Sequence, residues 1–529
     1  MAVKEIIKST NKLLREKSEE VKEINEEIKN LIIDMEDTLE KSGGVGIAAI
    51  QVGVAKRVVL IKVNNKKYIV INPKIINSIG EQDDYEGCLS VKKQNCVLIL
   101  GKVKRAFIVE VEGLNENGEK INIMAEGLTA RAFQHEIDHL DGILYTDKMY
   151  GEFKEIKTEE ERKEWDENRN KAKKGKVLLG MSGGVDSSVS AILLKAQGYE
   201  VIGATMKLWE DKQNTEIDGG CCSFSAVNDA KRVCDKLDIP HYTLNCKKDF
   251  EKYVIDDFIN CYKCTKTPNP CIECNRYLKF GTFYKKAVEL ECDYISTGHY
   301  AKVEYSEKYN QYVLKKSDSE KKDQTYFLYS ISKEVLPQMI FPLQDFKDKN
   351  DIRKIAEEHE LEVAHKKDSQ EVCFIPDNNY GSFLERNLEK LPPKGNIVLK
   401  DGTVLGKHKG LIYYTIGQRK GLGIAYKEPL YVIKLDKDKN EVVVGEEKEL
   451  YAKELIANEL NFLLDIDLSK PIEVMAKVRY RAKEAKAILE IKENDEAKLI
   501  FEEPQRAITP GQSVVFYIDD IVLGGGKIV

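Results

Sequence analysis

The sequence contains no run of about 20 consecutive apolar residues, the length that a membrane-spanning helix needs. Its first residues, MAVKEIIKSTNK, also lack the apolar core of a secretory signal. These two absences predict a soluble, cytoplasmic protein without a membrane partner. In that compartment its thiols are expected to stay reduced.

The chain also lacks an excess of positive charge. Its net charge of -6 argues against a chain-wide attraction to nucleic acid, although a local basic face would suffice for binding. Twelve cysteines in a cytoplasmic chain are better interpreted as metal ligands, catalytic thiols and buried residues than as a disulfide framework. Four of them, Cys261, Cys264, Cys271 and Cys274, lie in one short segment.

A chain of 529 residues is too long for a single hydrophobic core and predicts several domains. Short β-type runs and one helical pattern predict an α+β domain, whereas alternating β and α patterns further on predict a parallel α/β sheet. The turn-rich segment and the short β runs that follow it predict a small linking domain and a β-barrel. The predicted boundaries are 1–150 (α+β), 151–175 (charged linker or exposed helix), 176–380 (α/β), 381–445 (linking domain) and 446–529 (barrel).

Three short stretches of the first 150 residues carry chemistry. In QHEIDH, His135 and His139 are four residues apart and share one helix face, with Glu136 beside them to handle a proton. Cys88, in EGCLS, offers a thiolate as third ligand and leaves a fourth position for water. Gln51, in GVGIAAIQ, offers an amide donor for an oxyanion. Taken singly, each stretch also fits a charged helix, a buried thiol or a packed turn.

In this order the three stretches resemble the signature motifs of peptide deformylases. The resemblance implies that Cys88, His135 and His139 bind Fe(II) or zinc and that Glu136 shuttles the proton of water. It also implies that Gln51 and the backbone N–H of Leu89 stabilise the oxyanion as formate leaves the formyl-Met of a nascent peptide at the ribosome. Arg105, in VKRAFIVEVEGL, matches a family stretch near the substrate.

The sequence departs from the deformylase pattern at Ile50, Lys92 and Lys104, where the family usually has proline. These departures leave open a degenerate deformylase fold that serves as a binding module for the ribosome or tRNA. A zinc protease of the HExxH type is a further alternative, and it would need a His or Glu downstream as third ligand.

The stretch GMSGGVDSS joins an apolar strand to a helix, and such a glycine turn gathers N–H groups and a helix dipole where phosphate can bind. It lacks the lysine that a Walker motif needs, so γ-phosphate transfer is not indicated. A glycine turn capped by Asp186 is the alternative interpretation. The stretch resembles the PP-loop of ATP pyrophosphatases, with Asp186 acting through Mg²⁺. The implied ATP-binding residues are Gly180, Met181, Ser182, Gly183, Gly184, Val185, Asp186, Ser187 and Ser188.

Seven further stretches occur in the order seen in MnmA-type tRNA 2-thiouridylases. They are ATMKLWE, GGCCSFSAVNDAKRV, TPNPCIECNRYLKF, STGHYA, KKDQTYFL, DSQEVCF and YYTIGQRKGLGI. The resemblance covers 176–529 and implies thiolation of the wobble uridine in tRNAs for Glu, Gln and Lys. It adds Met206 and Gly298 to the ATP site. It assigns contacts with the target base or the tRNA to Asn269, Pro270, Cys271, His299, Lys322, Asp323, Gln324, Arg479, Tyr480 and Gln512.

Two sulfur-transfer mechanisms fit the resemblance. In a persulfide route, Cys373 carries sulfur from a donor such as a cysteine desulfurase relay, and Cys274 then forms a disulfide with it. In the other route, Cys271, Cys274 and Cys373 could hold a [4Fe–4S] cluster with one open iron. A zinc site that includes Cys261 and Cys264 is a third interpretation of the cysteine-rich segment.

Two basic tracts, GQRKG and RYRAKEAKA, could follow a tRNA backbone. Their cationic residues are Arg419, Lys420, Arg479, Arg481, Lys483 and Lys486. A PP-loop ligase that adenylates another substrate is the competing hypothesis for this half. The sequence as a whole predicts a bifunctional fusion of a deformylase with a tRNA 2-thiouridylase.

Overall fold

The structure is a computed structural model that describes residues 3–63, 66–171, 174–208, 224–366, 372–375 and 379–529. Parts of three quoted stretches, at 209–210, 219–223 and 368–371, lie outside the described residues. The chain divides into two compact units. The first comprises Met1–Lys174, Ile192–Glu200 and Asp348–Ala364; the second comprises Gly175–Ala191, Val201–Lys347 and His365–Val529. Among the described residues, no helix has both the length and the apolar character needed to cross a membrane.

The N-terminal part is α+β, as predicted. Its strands are β1 (Gly46–Ala48), β2 (Val58–Val63), β3 (Lys66–Ile79), β4 (Gln82–Glu86), β5 (Leu98–Arg105), β6 (Ile108–Leu114), β7 (Lys120–Glu126) and β8 (Tyr150–Ile156). Its helices are α1 (Glu26–Ser42), α2 (Gly127–Leu140) and α3 (Glu159–Lys171). The strands form two sheets, in the orders β1-β2-β3-β6-β7 and β4-β5-β8.

Helix α2 is oriented by the spacing of its apolar residues. Ala130, Phe133, Ile137 and Leu140 recur every three or four positions and are buried in the same core as the strands of the larger sheet. The two histidines of QHEIDH therefore lie on another face of the helix. Burial of the apolar stripe thus fixes where the predicted ligands point.

The charged stretch at 151–175 contains more structure than the predicted linker or helix. It begins within strand β8, which pairs with β5, and continues as helix α3. The Trp165 ring of α3 lies edge-on to Tyr85, with centroids 5.4 Å apart, and the Lys154 ammonium lies 3.4 Å from the Trp165 centroid. Trp165 and the buried Ile156 thus anchor a stretch whose composition is otherwise mostly polar.

The next part is the predicted α/β region. Its strands are β9 (Lys176–Gly180), β10 (Glu200–Lys207), β11 (His241–Asn245), β12 (Tyr294–Thr297), β13 (Lys302–Ser306), β14 (Gln311–Lys315) and β15 (Met339–Ile340). Its helices are α4 (Val185–Ala196), α5 (Phe224–Lys236), α6 (Lys247–Phe250), α7 (Asp256–Lys263), α8 (Pro270–Glu273), α9 (Phe283–Glu289) and α11 (Tyr380–Asn387). Helix α10 (Lys349–Glu358) falls in the same stretch of sequence but belongs to the first compact unit. Wide i→i+5 turns at Glu251–Ile255 and Cys274–Thr282 join α6 to α7 and α8 to α9.

The sheet of this region has the order β11-β10-β9-β12-β15, with parallel pairing of β10 to β11, β9 to β12 and β12 to β15. Strand β9 lies between β10 and β12, so the strand order reverses at its carboxyl end. Ligands of open α/β sheets bind at such a switch point. The GMSGGVDSS turn follows β9 at this position.

Two β domains complete the chain, and they confirm the predicted fold class. The linking domain is a four-stranded sheet, and the terminal domain is a closed six-stranded barrel, in which β24 also pairs with β25. The sheet strands are β16 (Gly395–Leu399), β17 (Val404–His408), β18 (Tyr431–Asp436) and β19 (Glu441–Gly445). The barrel strands are β20 (Tyr451–Phe462), β21 (Ile472–Lys477), β22 (Ala485–Ile491), β23 (Ala497–Arg506), β24 (Ser513–Ile518) and β25 (Ile521–Ile528).

Candidate functional sites

The three predicted metal ligands of the N-terminal domain converge. Ligand atoms of Cys88, His135 and His139 all lie within 4.8 Å of one another, and all three residues are buried. The Cys88 Sγ and His139 Nε2 atoms are 3.2 Å apart. A thiolate and two imidazoles are the donor set of a three-ligand catalytic site for iron or zinc.

The electrostatics of this cluster favour metal binding. Burial opposes ionisation of Cys88, but the imidazoles of His139 and His135 outweigh it and hold the pKa of the thiol well below its usual range. Among the described residues, the buried Nδ1 of His139 and Oε2 of Glu136 lack hydrogen-bond partners. A buried, charged and incompletely satisfied cluster of this kind fits a divalent ion with a bound water.

Glu136 lies beside the ligands and against the glycine-rich stretch. A Cβ atom on Gly46 would come within 2.8 Å of its Oε1 atom, so the absence of a side chain at Gly46 makes room for the carboxyl group. Burial raises the pKa of Glu136 to about 6. A carboxyl group with this pKa can both accept and donate a proton near neutral pH.

Gln51 is buried and its amide group faces the metal ligands. Its Oε1 accepts a hydrogen bond from the Ala48 N–H at 2.8 Å, which fixes the orientation of the amide. Its Nε2 lies 3.3 Å from Ser90 Oγ and 3.7 Å from Cys88 Sγ. The predicted oxyanion donor therefore lies next to the metal cluster, as does Leu89, which follows the Cys88 ligand.

Glu86, which the sequence motifs do not single out, orients one of the predicted ligands. Its carboxylate accepts hydrogen bonds from both Nε and Nη2 of Arg105 at 2.9 Å and from Nη1 of Arg131 at 2.8 Å, and it lies 3.0 Å from Nδ1 of His135. A carboxylate at Nδ1 fixes the tautomer and the ring orientation of a metal-binding imidazole. The signal was present, because Glu86 opens the EGCLS motif and Arg131 precedes His135 by one helical turn.

The structure places Arg105, which was predicted to lie near the substrate, in a network of ion pairs behind the ligand cluster. Its guanidinium is buried and binds Glu86 and Asp138. Burial opposes its charge, but Glu86 raises its pKa above the ordinary value. Glu86 is buried and Asp138 is partly buried, and pairing with these two carboxylates compensates the desolvation of the guanidinium.

The GMSGGVDSS turn has the geometry of an anion cradle. Gly183 has φ +67°, and a Cβ atom there would come within 2.3 Å of the Ala226 carbonyl oxygen. Ser187 Oγ accepts a hydrogen bond from the Ser182 N–H at 3.2 Å and donates one to the Gly184 carbonyl at 3.1 Å. These contacts hold the turn in a tight conformation at the start of α4.

The STGHYA stretch packs on this cradle. A Cβ atom on Gly298 would lie 2.9 Å from the Ser187 nitrogen, so only glycine permits this approach. The buried Tyr300 donates its hydroxyl hydrogen to Asp186 Oδ1 at 3.0 Å. This contact, which the sequence analysis missed, fixes the carboxylate that is predicted to act through Mg²⁺. Met206 lies on neighbouring strand β10 and is partly buried.

The three cysteines proposed for sulfur chemistry differ in exposure. Cys271 is exposed, Cys274 is buried and Cys373 is partly buried. Cys274 and Cys373 belong to the same apolar cluster, together with Phe374. Within the described part of the chain, these thiols do not converge on a single ion as Cys88 and its partners do.

The structure gives no support to a zinc site in the cysteine-rich segment. Burial raises the pKa of Cys261 to about 12, and its thiol contacts Asp257 Oδ2 at 3.8 Å. Among the described residues, Cys261 and Cys264 belong to no group of converging ligands.

Several residues predicted to contact tRNA also have contacts within the protein. His299 is buried and lies 2.7 Å from Thr297 Oγ1, and burial holds its pKa well below the usual range. Asp323 accepts a hydrogen bond from Thr325, and Gln324 accepts one from the Tyr300 N–H. The remaining predicted contacts, Asn269, Pro270, Lys322, Arg479, Tyr480 and Gln512, range from buried to partly buried.

The two basic tracts are exposed to a large extent. Arg419 and Lys420 of GQRKG lie on the surface of the linking domain. In the second tract, Arg481, Lys483 and Lys486 are exposed, and Lys486 pairs with Glu473 at 3.4 Å. Exposed cations on these two β domains are available to a polyanion.

Comparison with known families divides the chain into four parts. The polypeptide deformylase family matches 3–155, and the tRNA methyl transferase HUP domain matches 175–377. The tRNA methyl transferase PRC-barrel domain matches 381–446, and the aminomethyltransferase beta-barrel domain matches 452–528. The matches follow the order of the domains seen in the structure.

Curated relatives cover the second part of the chain. The tRNA-specific 2-thiouridylase MnmA of Clostridioides difficile is 52% identical over 353 residues, which are 67% of this chain and 98% of the relative. The protein of the same name from Acetivibrio thermocellus is 52% identical over 357 residues, 67% of this chain and 99% of the relative.

Solved structures of deformylases match the first part. Peptide deformylase from Thermotoga maritima is 32% identical, with a TM-score of 0.27, over 28% of this chain and 100% of that one. A peptide deformylase from Legionella pneumophila is 34% identical, with a TM-score of 0.27, over 33% of this chain and 99% of that one. The polypeptide deformylase family match over 3–155 and the converging side chains of Cys88, His135 and His139 carry the assignment of this domain. The chain therefore belongs to the MnmA family of tRNA-specific 2-thiouridylases and carries a polypeptide deformylase domain before it.

Proposed function

We propose that this chain is a bifunctional enzyme that removes the formyl group from the N-terminal formyl-Met of nascent peptides and thiolates the wobble uridine of tRNA at C2. The observation that supports the first activity is the buried Cys88, His135 and His139 cluster with Glu136 beside it. The second activity is supported by 52% identity to 2-thiouridylases over nearly their whole length. We further propose tRNAs for Glu, Gln and Lys as substrates and the cytoplasm as the location.

In the deformylase domain, the cluster would hold Fe(II) or zinc, which lowers the pKa of water and polarises the formyl carbonyl when bound. Glu136, with a pKa of about 6, accepts the proton of the attacking water and returns it to the leaving amine. The Gln51 amide and the Leu89 N–H donate hydrogen bonds to the developing oxyanion. Glu86 keeps the His135 ring in its binding orientation throughout.

A formate-release assay with a formyl-Met peptide tests this proposal. We expect metal-dependent turnover, because the complete buried ligand set distinguishes this domain from a degenerate binding module. Metal analysis of the same preparation, before and after chelation, separates iron from zinc. A metal-free, inactive domain in freshly purified protein would support the binding-module alternative instead.

In the thiouridylase part, the cradle at Gly180–Ser188 would bind the pyrophosphate of ATP at the N-terminus of α4. ATP converts the C2 oxygen of uridine to an adenylate and releases pyrophosphate. The terminal sulfur of a Cys373 persulfide attacks C2, and AMP departs with the oxygen. Cys274 then attacks the inner sulfur, which leaves the transferred sulfur on C2 and a disulfide between Cys274 and Cys373. A thiol reductant returns both cysteines to free thiols, and a donor of sulfane sulfur then converts Cys373 to the persulfide again.

A [4Fe–4S] cluster on Cys271, Cys274 and Cys373 is the competing proposal for sulfur delivery. The exposure of Cys271 and the shared apolar cluster of the other two thiols are compatible with the persulfide route, in which only Cys274 and Cys373 react. A cluster would require all three thiols to approach a common centre, and within the described ranges they form no such group.

Acid-labile sulfide distinguishes the two routes, because a single iron at Cys88 contains none. Anaerobically purified full-length protein and its Cys271→Ala variant are compared for sulfide content, visible absorption and tRNA thiolation. Full thiolation by sulfide-free protein, undiminished in Cys271→Ala, establishes the persulfide route. Cluster absorption that vanishes together with activity in the variant establishes the cluster route.

AMP formation measured with and without tRNA tests which molecule is adenylated at the ATP site. We expect AMP release to require a tRNA that carries uridine at the wobble position. The PP-loop ligase alternative predicts AMP release that is indifferent to tRNA. The sulfur donor is identified by thiolation with a cysteine desulfurase and cysteine, compared with inorganic sulfide.

A further inference from the structure

The segment that carries the proposed reactive cysteine is held at both ends by residues of the terminal barrel. This segment, Thr267 to Cys274, spans the TPNPC loop and helix α8. The contacts come from the turn before β24 and from β25. All of these residues belong to the second compact unit.

At the first end, the loop depends on the barrel for its hydrogen bonds. Prolines at 268 and 270 have no N–H and cannot donate to backbone carbonyls. Gln512 Nε2 donates to the carbonyl oxygens of Thr267 and Pro268 at 3.0 and 3.1 Å. The Thr267 N–H donates to the Pro510 carbonyl at 2.9 Å.

Gly511 allows the turn before β24 to come close to the backbone at Lys266 and Thr267. Its φ is +88°, and a Cβ atom there would lie 2.8 Å from Lys266 Cβ and 2.9 Å from the Thr267 nitrogen. The barrel turn and the loop therefore meet backbone to backbone, and any larger residue at 511 would separate them.

At the other end, an ion pair fixes helix α8 itself. Glu273 lies between Cys271 and Cys274 and is only 4% exposed. Lys527, on β25, places its Nζ 3.1 Å from Glu273 Oε1 and 3.0 Å from Glu459 Oε2. Asp257, on α7, lies 3.9 Å from the same Nζ.

Glu273 and Lys527 each favour the charged form of the other. Burial raises the pKa of Glu273, while Lys527 opposes that shift. Burial lowers the pKa of Lys527, but Glu273 and Asp257 raise it above its ordinary value. Removing one partner of a buried pair leaves an uncompensated charge, which destabilises the arrangement far more than removing both partners.

We propose that the terminal barrel is a positioning element of the thiolation site, with Lys527 and Gln512 as positioning residues that hold Cys274 where sulfur transfer requires it. This role is separate from tRNA binding, for which the barrel offers its exposed cations. It rests on the proposed part of Cys274 in sulfur transfer. The barrel should then affect turnover as well as tRNA affinity.

Single-turnover thiolation with the full-length protein tests the proposal. We expect Lys527→Met to lower the rate at saturating tRNA at least tenfold, with the KM for tRNA changed less than twofold. Glu273→Gln/Lys527→Met should recover most of this loss, because the unpaired buried carboxylate is gone. Lys498→Met is the matched control, since the pair of Lys498 with Glu454 lies within the barrel, and its rate should stay unchanged.

A second readout does not involve tRNA. Cys274 is 9% exposed, and its alkylation by iodoacetamide is followed by peptide mass spectrometry in the free protein. We expect alkylation of Cys274 to become at least threefold faster in Lys527→Met and in Gln512→Leu. In Lys498→Met it should be unchanged.

The outcomes separate the possible roles of the barrel. An unchanged rate at saturating tRNA with a raised KM in both Lys527→Met and Gln512→Leu would overturn the proposal and leave the barrel as a tRNA-binding element only. If Lys527→Met unfolds below the assay temperature, the double variant and Gln512→Leu decide the question. Should Cys274→Ser retain thiolation, the proposed chemistry fails, while the alkylation rates still decide whether the barrel positions the segment.

Discussion

The two catalytic regions of this chain differ in how far the protein alone assembles its reactive groups. In the deformylase region, three buried ligands lie within 4.8 Å of one another, with the carboxyl group of Glu136 beside them. In the thiouridylase region, the described thiols of Cys271, Cys274 and Cys373 range from exposed to buried and do not converge. The proposed substrate of the first site is the end of a peptide, whereas that of the second is a tRNA, which reacts there with ATP.

The difference shows that a network of buried charges can fix the side chains of a site before metal or substrate binds. Glu86 and its two arginines are buried and fix His135 from behind. The proposed cysteine segment has a comparable support in Glu273 and Lys527, but that support ends one residue short of the thiol. Glu86 therefore contacts the predicted ligand His135 directly. Lys527 instead contacts Glu273 and can restrain Cys274 only through the backbone that joins the two residues.

The largest expected effect separates the two activities completely. Cys88→Ala removes one of three metal ligands and should lower formate release by roughly 1000-fold or more, because several kcal/mol of transition-state stabilisation depend on the metal. Its thiolation rate should stay unchanged. Cys274→Ser should give the opposite pattern. Any variant that abolishes both activities would break the comparison by showing that the sites depend on each other.

The next effect concerns proton transfer alone. Glu136→Gln should lower kcat for formate release by about 10² to 10⁴, the usual contribution of a general acid–base group. Metal content should remain at one ion per chain, because Cys88, His135 and His139 are untouched. Glu81→Gln, at an exposed carboxylate paired with Lys104, serves as the control. Loss of the metal in Glu136→Gln would assign this residue to binding instead of proton transfer.

A smaller effect is expected on the free energy of unfolding when a buried ion pair is removed, compared with an exposed one. Arg105→Met should lower the free energy of unfolding of the deformylase domain by about 3 kcal/mol, because Glu86 is left buried without its bidentate partner. The neighbouring Lys104→Met, which removes an exposed pair with Glu81, should cost about 0–1 kcal/mol. The stability loss of each variant is measured from the urea concentration at which half of the formate release is lost. Equal midpoints would contradict the role assigned to burial.

The smallest effect concerns the ATP cradle. Tyr300→Phe removes one hydrogen bond to Asp186, which is worth about 1 kcal/mol and should reduce kcat/KM for ATP about fivefold. Tyr305→Phe is the control, since the Tyr305 hydroxyl bonds within its exposed hairpin, to Asn310. Rates of tRNA-dependent AMP formation measure the effect. A loss larger than about 100-fold would indicate that Tyr300 contacts the nucleotide itself.

Much of the architecture follows from local patterns in the sequence. Short continuous apolar runs predict buried strands such as β2, β9 and β10, and the spacing in AFQHEIDHL predicts helix α2. The convergence of His135 and His139 is predictable for the same reason, because their spacing places both imidazoles on one helix face. The closed barrel and the four-part fold agree with the predicted classes.

The contacts that the sequence did not reveal are long-range. Glu86 meets Arg131 across 45 residues, and Gln512 meets Thr267 across 245. No periodicity encodes such pairs, since each depends on how separate elements pack in the folded chain. Arg105 shows the same limit, because the motif that contains it does not reveal its ion pair with Glu86, which lies 19 residues away.

Barrel closure has a consequence for association between copies of the chain. Strands β20 to β25 all pair with neighbours on both sides, so the barrel presents no open strand for another chain to extend. The sheet does continue through β14 to β13, which is its outer strand. This strand has only five residues and carries the charged Lys302 and Glu304. A short, charged outer strand resists edge-to-edge pairing, and the terminal domain is therefore protected against aggregation by strand addition.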